Sequence, residues 1–196
     1  MQSNFFDGAG GAGETMRHLP EGFRYRPELI GTAEEDALVA HVRELPFREF
    51  EFHGYTGKRR VVSFGWQYDF SARRLRKADA IPEYLLALRE AAATFAGLAA
   101  EEFHHVMVTE YSPGAGIGWH RDKAVFGQVV GVSLLAACVL RLRRAVGEKK
   151  WERVNVSAAP RSAYFLSGPA RSVWEHSIPQ VDALRYSITF RTLRGD

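Results

Sequence analysis

At 196 residues, with 46% hydrophobic, 12% aromatic and 25% charged, the chain has the composition of one soluble globular domain with a substantial core, which excludes a disordered or fibrous protein. Lys and Arg number 26 against 23 Asp and Glu, so a net +3 and a pI near 9.1 permit a polyanionic partner without requiring one. The single cysteine, Cys138, excludes an internal disulfide, and no apolar run reaches the roughly 18 residues needed to span a bilayer.

Residues 1–18 begin MQSNFFDGAGGAGET and are expected to be a flexible Gly-rich arm, with one domain over 19–196. The arm lacks the basic-then-apolar order of a secretory signal, so a cytoplasmic protein with no membrane partner is expected, and a monomer. LPEGFRYRPELIG reads as an extended lead-in. TAEEDALVAHVREL predicts a first helix with Thr32 at the N-cap, Glu35 completing a capping box, and Leu38, Val42 and Leu45 facing the core. IPEYLLALREAAATFAGL predicts a second, with Pro82 in its first turn and Tyr84, Leu85, Leu88, Ala92 and Phe95 at helical spacing.

From about residue 103 the period changes to that of strands. FHHVMVTEY, GIGWH, VVGVSLL, CVLRLRR, WERVNV, SAYFLSG, SVWEHSI and RYSITFRTL are β-prone runs between turn signals, with Cys138 a small buried residue on one of them. Eight strands after two helices predict a mixed α/β (α+β) protein, a sandwich or barrel with helices packed on one side. A jelly roll fits this count, and so does an ordinary β-sandwich. Basic residues cluster at Lys58, Arg59, Arg60, at Arg73, Arg74, Arg76, Lys77, and at Arg141, Arg143, Arg144, Lys149, Lys150; each cluster is read equally well as a solvated face.

GIGWHRDKAVFG places His120 and Asp122 two apart. On a strand, residues i and i+2 share a face, so an imidazole nitrogen and a carboxylate oxygen would converge on one ion; a surface turn fits the spacing too. Among the other histidines, His18 in the arm, His41 on the first helix and His53 in a loop read as surface or core residues, while His104 and His105 must point to opposite faces of one strand. His176, in SVWEHSI, lies where a double-wound barrel can bring it beside the His120 strand. Two histidines and a carboxylate make the facial triad of non-haem Fe(II) oxygenases, with positions left for substrate and oxygen. In RYSITFRTLRG, Arg185, Ser187, Thr189 and Arg191 share one face and Tyr186, Ile188 and Phe190 the other. Two guanidinium groups with little acid nearby call for an anion such as a dicarboxylate, unless they stand in water on an edge strand.

EYSPGAGIGWHRD, LSGPARSVWEHSI and RYSITFR, in that order, resemble the AlkB family of Fe(II)- and 2-oxoglutarate-dependent dioxygenases, and the resemblance runs from about Leu19 to the end. It implies a double-stranded β-helix (jelly roll) core over 103–196 with N-terminal helices packed on one side, and Fe(II), 2-oxoglutarate and O2 as cofactor and cosubstrates. It implies iron ligands His120, Asp122 and His176. Arg185 matches the arginine that pairs with the distal carboxylate of 2-oxoglutarate, with Tyr111 its hydrogen-bonding neighbour, and Arg191 the arginine near the metal-bound end. Thr109 and Ser187 stand where the family often carries Asn, keeping a hydrogen-bonding group of shorter reach. The implied reaction is oxidative dealkylation of bases of the 1-methyladenine or 3-methylcytosine type in DNA or RNA, releasing formaldehyde, succinate and CO2, with no catalytic side chain beyond the metal centre. Relatives in the wider family act on protein side chains or small molecules, and a binding module without catalysis is a third class.

KRRVVSFGWQYDFSARRLRK, within a segment at about 45–78, sits where that family carries its nucleotide recognition. Trp66 and Tyr68 could stack on an extruded base while Arg59 and Arg60 hold phosphates. Phe64, Trp66 and Tyr68 could equally form the apolar face of a hairpin against the core.

Overall fold

The computed structural model describes residues 19–52, 55–69 and 74–194; the arm over 1–18, His53 and Arg73 lie outside them. The period-two pattern becomes strands β1 (Phe23–Arg26), β2 (Arg48–Phe52), β3 (Tyr55–Asp69), β4 (Arg74–Lys77), β5 (Phe103–Tyr111) and β6 (Ile117–His120). It continues in β7 (Phe126–Leu134), β8 (Cys138–Gly147), β9 (Lys150–Ala158), β10 (Ala163–Leu166), β11 (Glu175–Ile178) and β12 (Arg185–Leu193). Helices α1 (Thr32–Arg43), α2 (Leu86–Ala96) and the short α3 (Gly168–Ser172) complete the order. An eight-stranded sheet runs β1-β10-β7-β12-β5-β3-β2, with β4 on β3, and a four-stranded sheet runs β6-β11-β8-β9. Every pairing is antiparallel, and the two sheets form the jelly roll that the resemblance implied. Each of the eight runs expected after residue 103 supplies a strand; SVWEHSI is shortened because its first residue belongs to α3.

The large sheet is buried on both faces. Its outer face packs Val106, Val108, Val130, Val132, Ile188 and Phe190 against Leu38, Val39 and Val42 of α1 and Leu88, Ala92, Ala93 and Ala96 of α2. Its inner face meets the small sheet, where Leu140, Leu142, Val156, Trp174 and Ile178 form a second core with Tyr111, Val129 and Tyr164. Gly131 on β7 lies opposite Tyr164, whose ring occupies the space that a Cβ at 131 would need. Among the described residues no helix is long and apolar enough to cross a membrane.

Both helix starts differ from expectation. The cap of α1 is Gly31, whose N–H donates to the Glu34 carboxylate at 2.8 Å, so the capping residues stand one position earlier than Thr32 and Glu35. Glu35 is buried and used elsewhere: it accepts from the Leu135 N–H at 2.8 Å and from Arg161 at 3.1 Å. Both of those residues have positive φ, and a buried acceptor at the turn offsets part of that strain. Pro82 stands before the second helix rather than in it, capping a 3-10 turn, Glu83–Leu85, that leads into α2. Gly97, at φ +72°, ends α2 in the left-handed conformation that glycine adopts without steric cost.

Candidate metal centre

β6 and β11 pair with His120 directly opposite His176. The strand ends at His120, so Asp122 lies just past it, and the turn that follows, not strand alternation, brings its carboxylate inward. That turn is held by α3: Arg171 Nε donates to the Gly127 carbonyl at 2.8 Å, and its Nη2 to the carbonyls of Lys123 at 2.8 Å and Phe126 at 2.7 Å. The imidazole centroids of His120 and His176 are 4.2 Å apart, and His176 Nε2 is 3.9 Å from Asp122 Oδ2.

Electrostatics set the protonation of the three. Burial pushes His176 down to about 3, helped by neighbouring His120, and burial likewise lowers His120. Burial would raise Asp122, but Arg191, His176 and His120 together hold its carboxyl well below the usual carboxylate range. Near neutral pH the group is therefore two uncharged imidazoles and one carboxylate, all with free lone pairs, the state a metal requires of its ligands.

Two further features fit a divalent cation. Asp122 Oδ1 accepts from Arg191 Nε at 3.0 Å and Nη2 at 2.8 Å, whereas Oδ2 is buried with no hydrogen-bond partner among the described residues. His120 Nδ1 lies 2.9 Å from the Gly118 carbonyl, to which it can donate, leaving Nε2 for an ion. The cage is not closed: among the described residues no three His, Cys, Asp or Glu side chains already stand at coordinating distances. Donors on adjacent octahedral positions at about 2.1 Å from one ion are about 3 Å apart, so rotation of the Asp122 carboxylate by about 1 Å would close the 3.9 Å gap.

β12 alternates as its sequence predicts. Tyr186, Ile188 and Phe190 enter the helix-side core, and Arg185, Ser187, Thr189 and Arg191 are buried facing the small sheet. Arg185 is 1% exposed and lies over the Tyr111 ring at 4.8 Å. Its Nη2 donates to Ser133 Oγ at 2.8 Å, while Nε and Nη1 have no acceptor among the described residues. A desolvated guanidinium so short of partners is costly, and a carboxylate entering the barrel would supply what is missing. Arg191 instead braces Asp122. Thr109 and Ser187 lie opposite one another on β5 and β12, both buried beside the arginines.

Tyr111 bonds through its hydroxyl to Arg59, a guanidinium buried in the same interior, where burial lowers its proton affinity. Arg60, the next residue on β3, must face the other way: it pairs with Glu110 at 2.7 Å and lies over the Phe47 ring. Alternation thus separates the two expected phosphate-binding arginines, Arg59 into the barrel and Arg60 onto the outer face. Trp66 and Tyr68 also part from Phe64. At Gly65, φ +75°, a Cβ would strike the His104 carbonyl, and β3 passes there from pairing with β5 to pairing with β4. Phe64 is buried in the core, whereas Trp66 and Tyr68 are half-buried, with Lys77 Nζ 6.0 Å from the indole and Lys123 Nζ 5.5 Å from the phenol ring.

His105 belongs to the site although sequence reasoning left it unassigned. It is buried, with Nδ1 3.3 Å from Arg191 Nη1 and its ring against Phe126, and burial followed by Arg191 lowers its pKa far below the usual histidine value. The signal was its parity with Tyr111 on the same strand, which puts 105, 109 and 111 on one face. His104, by the same alternation, is exposed. A cleft of about 200 Å³ between α1 and the 84–88 segment, lined by His41 and Tyr84, lies beyond the large sheet from the triad and contains none of these groups.

A family model described as the 2OG-Fe(II) oxygenase superfamily matches residues 22–191. The chain is 26% identical to an "Alkylated DNA repair protein ALKBH8 homolog" of Arabidopsis thaliana over 86% of its own length and 54% of that protein's. It is 27% identical to a "Probable RNA/DNA demethylase ALKBH6" of Danio rerio over 59% of its length and 47% of the relative's. The chain thus spans about half the length of these relatives. Among solved structures, that of OsALKBH1 superposes with a TM-score of 0.65 at 16% identity, covering 90% of this chain and 99% of that one. A Pseudomonas putida prolyl-4-hydroxylase superposes with a TM-score of 0.59 at 15% identity, covering 89% and 94%. These likenesses show the fold.

Proposed function

Because the chain belongs to the 2OG-Fe(II) oxygenase superfamily, and is AlkB-like within it, we propose that it dealkylates N-alkylated bases of DNA or RNA. The superfamily's chemistry uses Fe(II), 2-oxoglutarate and O2. In this reading His120, Asp122 and His176 hold the iron, and Arg185 receives the far carboxylate of 2-oxoglutarate on its two nitrogens without acceptors. Arg191 fixes the Asp122 carboxylate so that Oδ2 faces the metal. Bound iron and 2-oxoglutarate supply the oxidation: one atom of O2 enters the N-alkyl carbon, the other enters succinate, and CO2 leaves. The hydroxylated carbon then parts from nitrogen, which takes the hydroxyl proton, and an N-methyl group departs as formaldehyde. The buried walls around the triad exclude water and place the target carbon.

The observation that supports a base as the target is Tyr68: it leaves the core at Gly65 and meets Lys123, the residue after Asp122. An aromatic ring beside a cation, one residue from Asp122, suits an extruded base and its phosphate. Exposed Arg74, Arg76 and Lys77 on β4 continue that cationic edge. The fold alone does not choose, since the prolyl-4-hydroxylase superposes nearly as well. The test is anaerobic loading with Fe(II) and 2-oxoglutarate, then oxygen, with methylated DNA and RNA oligomers analysed by mass. Loss of one CH2 unit with equimolar formaldehyde supports the reading. Succinate production with every oligomer unchanged transfers the same chemistry to a protein side chain or small molecule.

A further inference from the structure

Between Cys138 and Ala158 six Lys and Arg stand against two Glu, a net +4 within a chain of net +3, so the rest of the molecule is −1. Alternation decides where that charge points. Cys138, Leu140, Leu142, Val156 and Ala158 are buried between the sheets, so Val139, Arg141, Arg143, Trp151, Arg153 and Asn155 face outward from β8 and β9. Trp119, next to His120 on β6, shares this outer face. The Arg143 guanidinium lies between two indoles, 4.4 Å from the Trp119 ring and 4.1 Å from that of Trp151, and its Nε donates to Glu175 at 2.7 Å. Arg141 lies 5.1 Å over Trp119 and donates to Ser177.

Glu175 pairs with Arg143 and Glu152 with Arg144, and Glu148, exposed in the turn between β8 and β9, is the one further acid of the segment, against four more cations. Arg141, Lys149, Lys150 and Arg153 make no ion pair among the described residues, and all but Arg141 are exposed. An indole braced by a guanidinium is pre-ordered, so stacking a further ring on it costs little side-chain entropy. Uncompensated cations beside it complement phosphates. An acidic protein segment would use the charge but not the ring.

We propose that the outer face of the four-stranded sheet is a second contact surface for a single nucleic-acid strand, with Trp151 stacking on a base and Arg141 and Arg153 on phosphates. It rests on the nucleic-acid reading above, and lies on the face of β6 opposite to that of His120, behind the metal donors.

Fluorescence anisotropy tests it with an unmodified labelled single strand of about 15 nucleotides, titrated across a salt series. The Arg141→Ala/Arg153→Ala variant is expected to bind more weakly with a salt slope shallower by about 1.4, at about 0.7 per phosphate contact on a single strand. Trp151→Ala is expected to lose about 5-fold or more in affinity, with Trp151→Phe recovering most of it, and unchanged melting temperatures confirm intact folds. Parent affinity and slope in all three variants would overturn the inference, as would competition by poly-glutamate equal to that by unlabelled oligonucleotide. Weakened binding in the variants, with no formaldehyde from any oligomer and the parent, supports this surface and removes the dealkylation reading. Formaldehyde release by the parent with unaltered binding in the variants does the reverse.

Discussion

Replacing Arg185 with methionine removes a buried guanidinium but keeps most of the side-chain length. Without ligand, that group has Ser133 Oγ as a partner and two nitrogens with no acceptor among the described residues. Unsatisfied buried donors cost about 1–3 kcal/mol each, so removing two of them at least offsets the about 0.5–1.5 kcal/mol contributed by the hydrogen bond lost to Ser133. The ligand-free variant is expected to melt within about 4 °C of the parent, or above it. Binding differs, because removing one partner of a buried charge pair costs about 2–5 kcal/mol. That is a rise in the Kd for 2-oxoglutarate of about 30-fold to several thousandfold, at about 1.4 kcal/mol per tenfold. At a ligand concentration about 100 times its Kd the parent gains about 2.7 kcal/mol, or roughly 5–11 °C in Tm. At that concentration the variant gains about 0.9 kcal/mol, roughly 2–4 °C, if its Kd is about 30-fold weaker, and essentially nothing at the upper end of the range. Thermal melting with Mn(II) in place of Fe(II), with and without 2-oxoglutarate, reads both quantities. A variant melting about 8 °C lower without ligand, yet keeping the parent's ligand-induced shift, would refute the assignment and make Arg185 a structural residue.

The metal-free protein is expected to lose stability as pH falls. His176 is neutral in the fold down to about 3 but takes a proton near 6.5 when unfolded, so its contribution is intact above about 6.5 and declines through the window from about 6.5 to 3. Acid titrations of the parent and His176→Gln, followed by circular dichroism, check this: the variant is expected to show a shallower decline. Arg171→Ala frees three carbonyls around the Asp122 turn and is expected to weaken Mn(II) binding about 10- to 100-fold, with Arg171→Lys intermediate, measured by metal titration. Arg60→Ala is expected to cost about 1 kcal/mol in urea unfolding and to leave 2-oxoglutarate affinity as in the parent, because its pair with Glu110 is half in water on the helix side. Arg59→Ala removes the partner of Tyr111 inside the barrel, and calorimetry is expected to show weaker 2-oxoglutarate binding.

What could be read from the chain was whatever has a local period. The inward row from Arg185 to Arg191, the opposed faces of His104 and His105 and the burial of Cys138 follow from strand alternation alone, which depends on backbone geometry and not on neighbours. Alternation could also have separated Arg59 from Arg60 and placed His105 with Tyr111. The cap of α1 was misplaced because Glu35 had a stronger use: a buried carboxylate goes where two donors from distant turns need it, and the exposed Glu34 is left to cap.

The candidates His120, Asp122, His176 and Arg185 were thus legible in the sequence, since residue type, spacing and the motifs that resemble the family's are local to the chain. Only the tertiary structure decided that His176 stands opposite His120, that Asp122 is aimed by a turn clamped from α3, and that Tyr68 leaves the core at Gly65 while Phe64 stays. Those outcomes depend on register between strands far apart in the chain and on backbone contacts that no local pattern encodes.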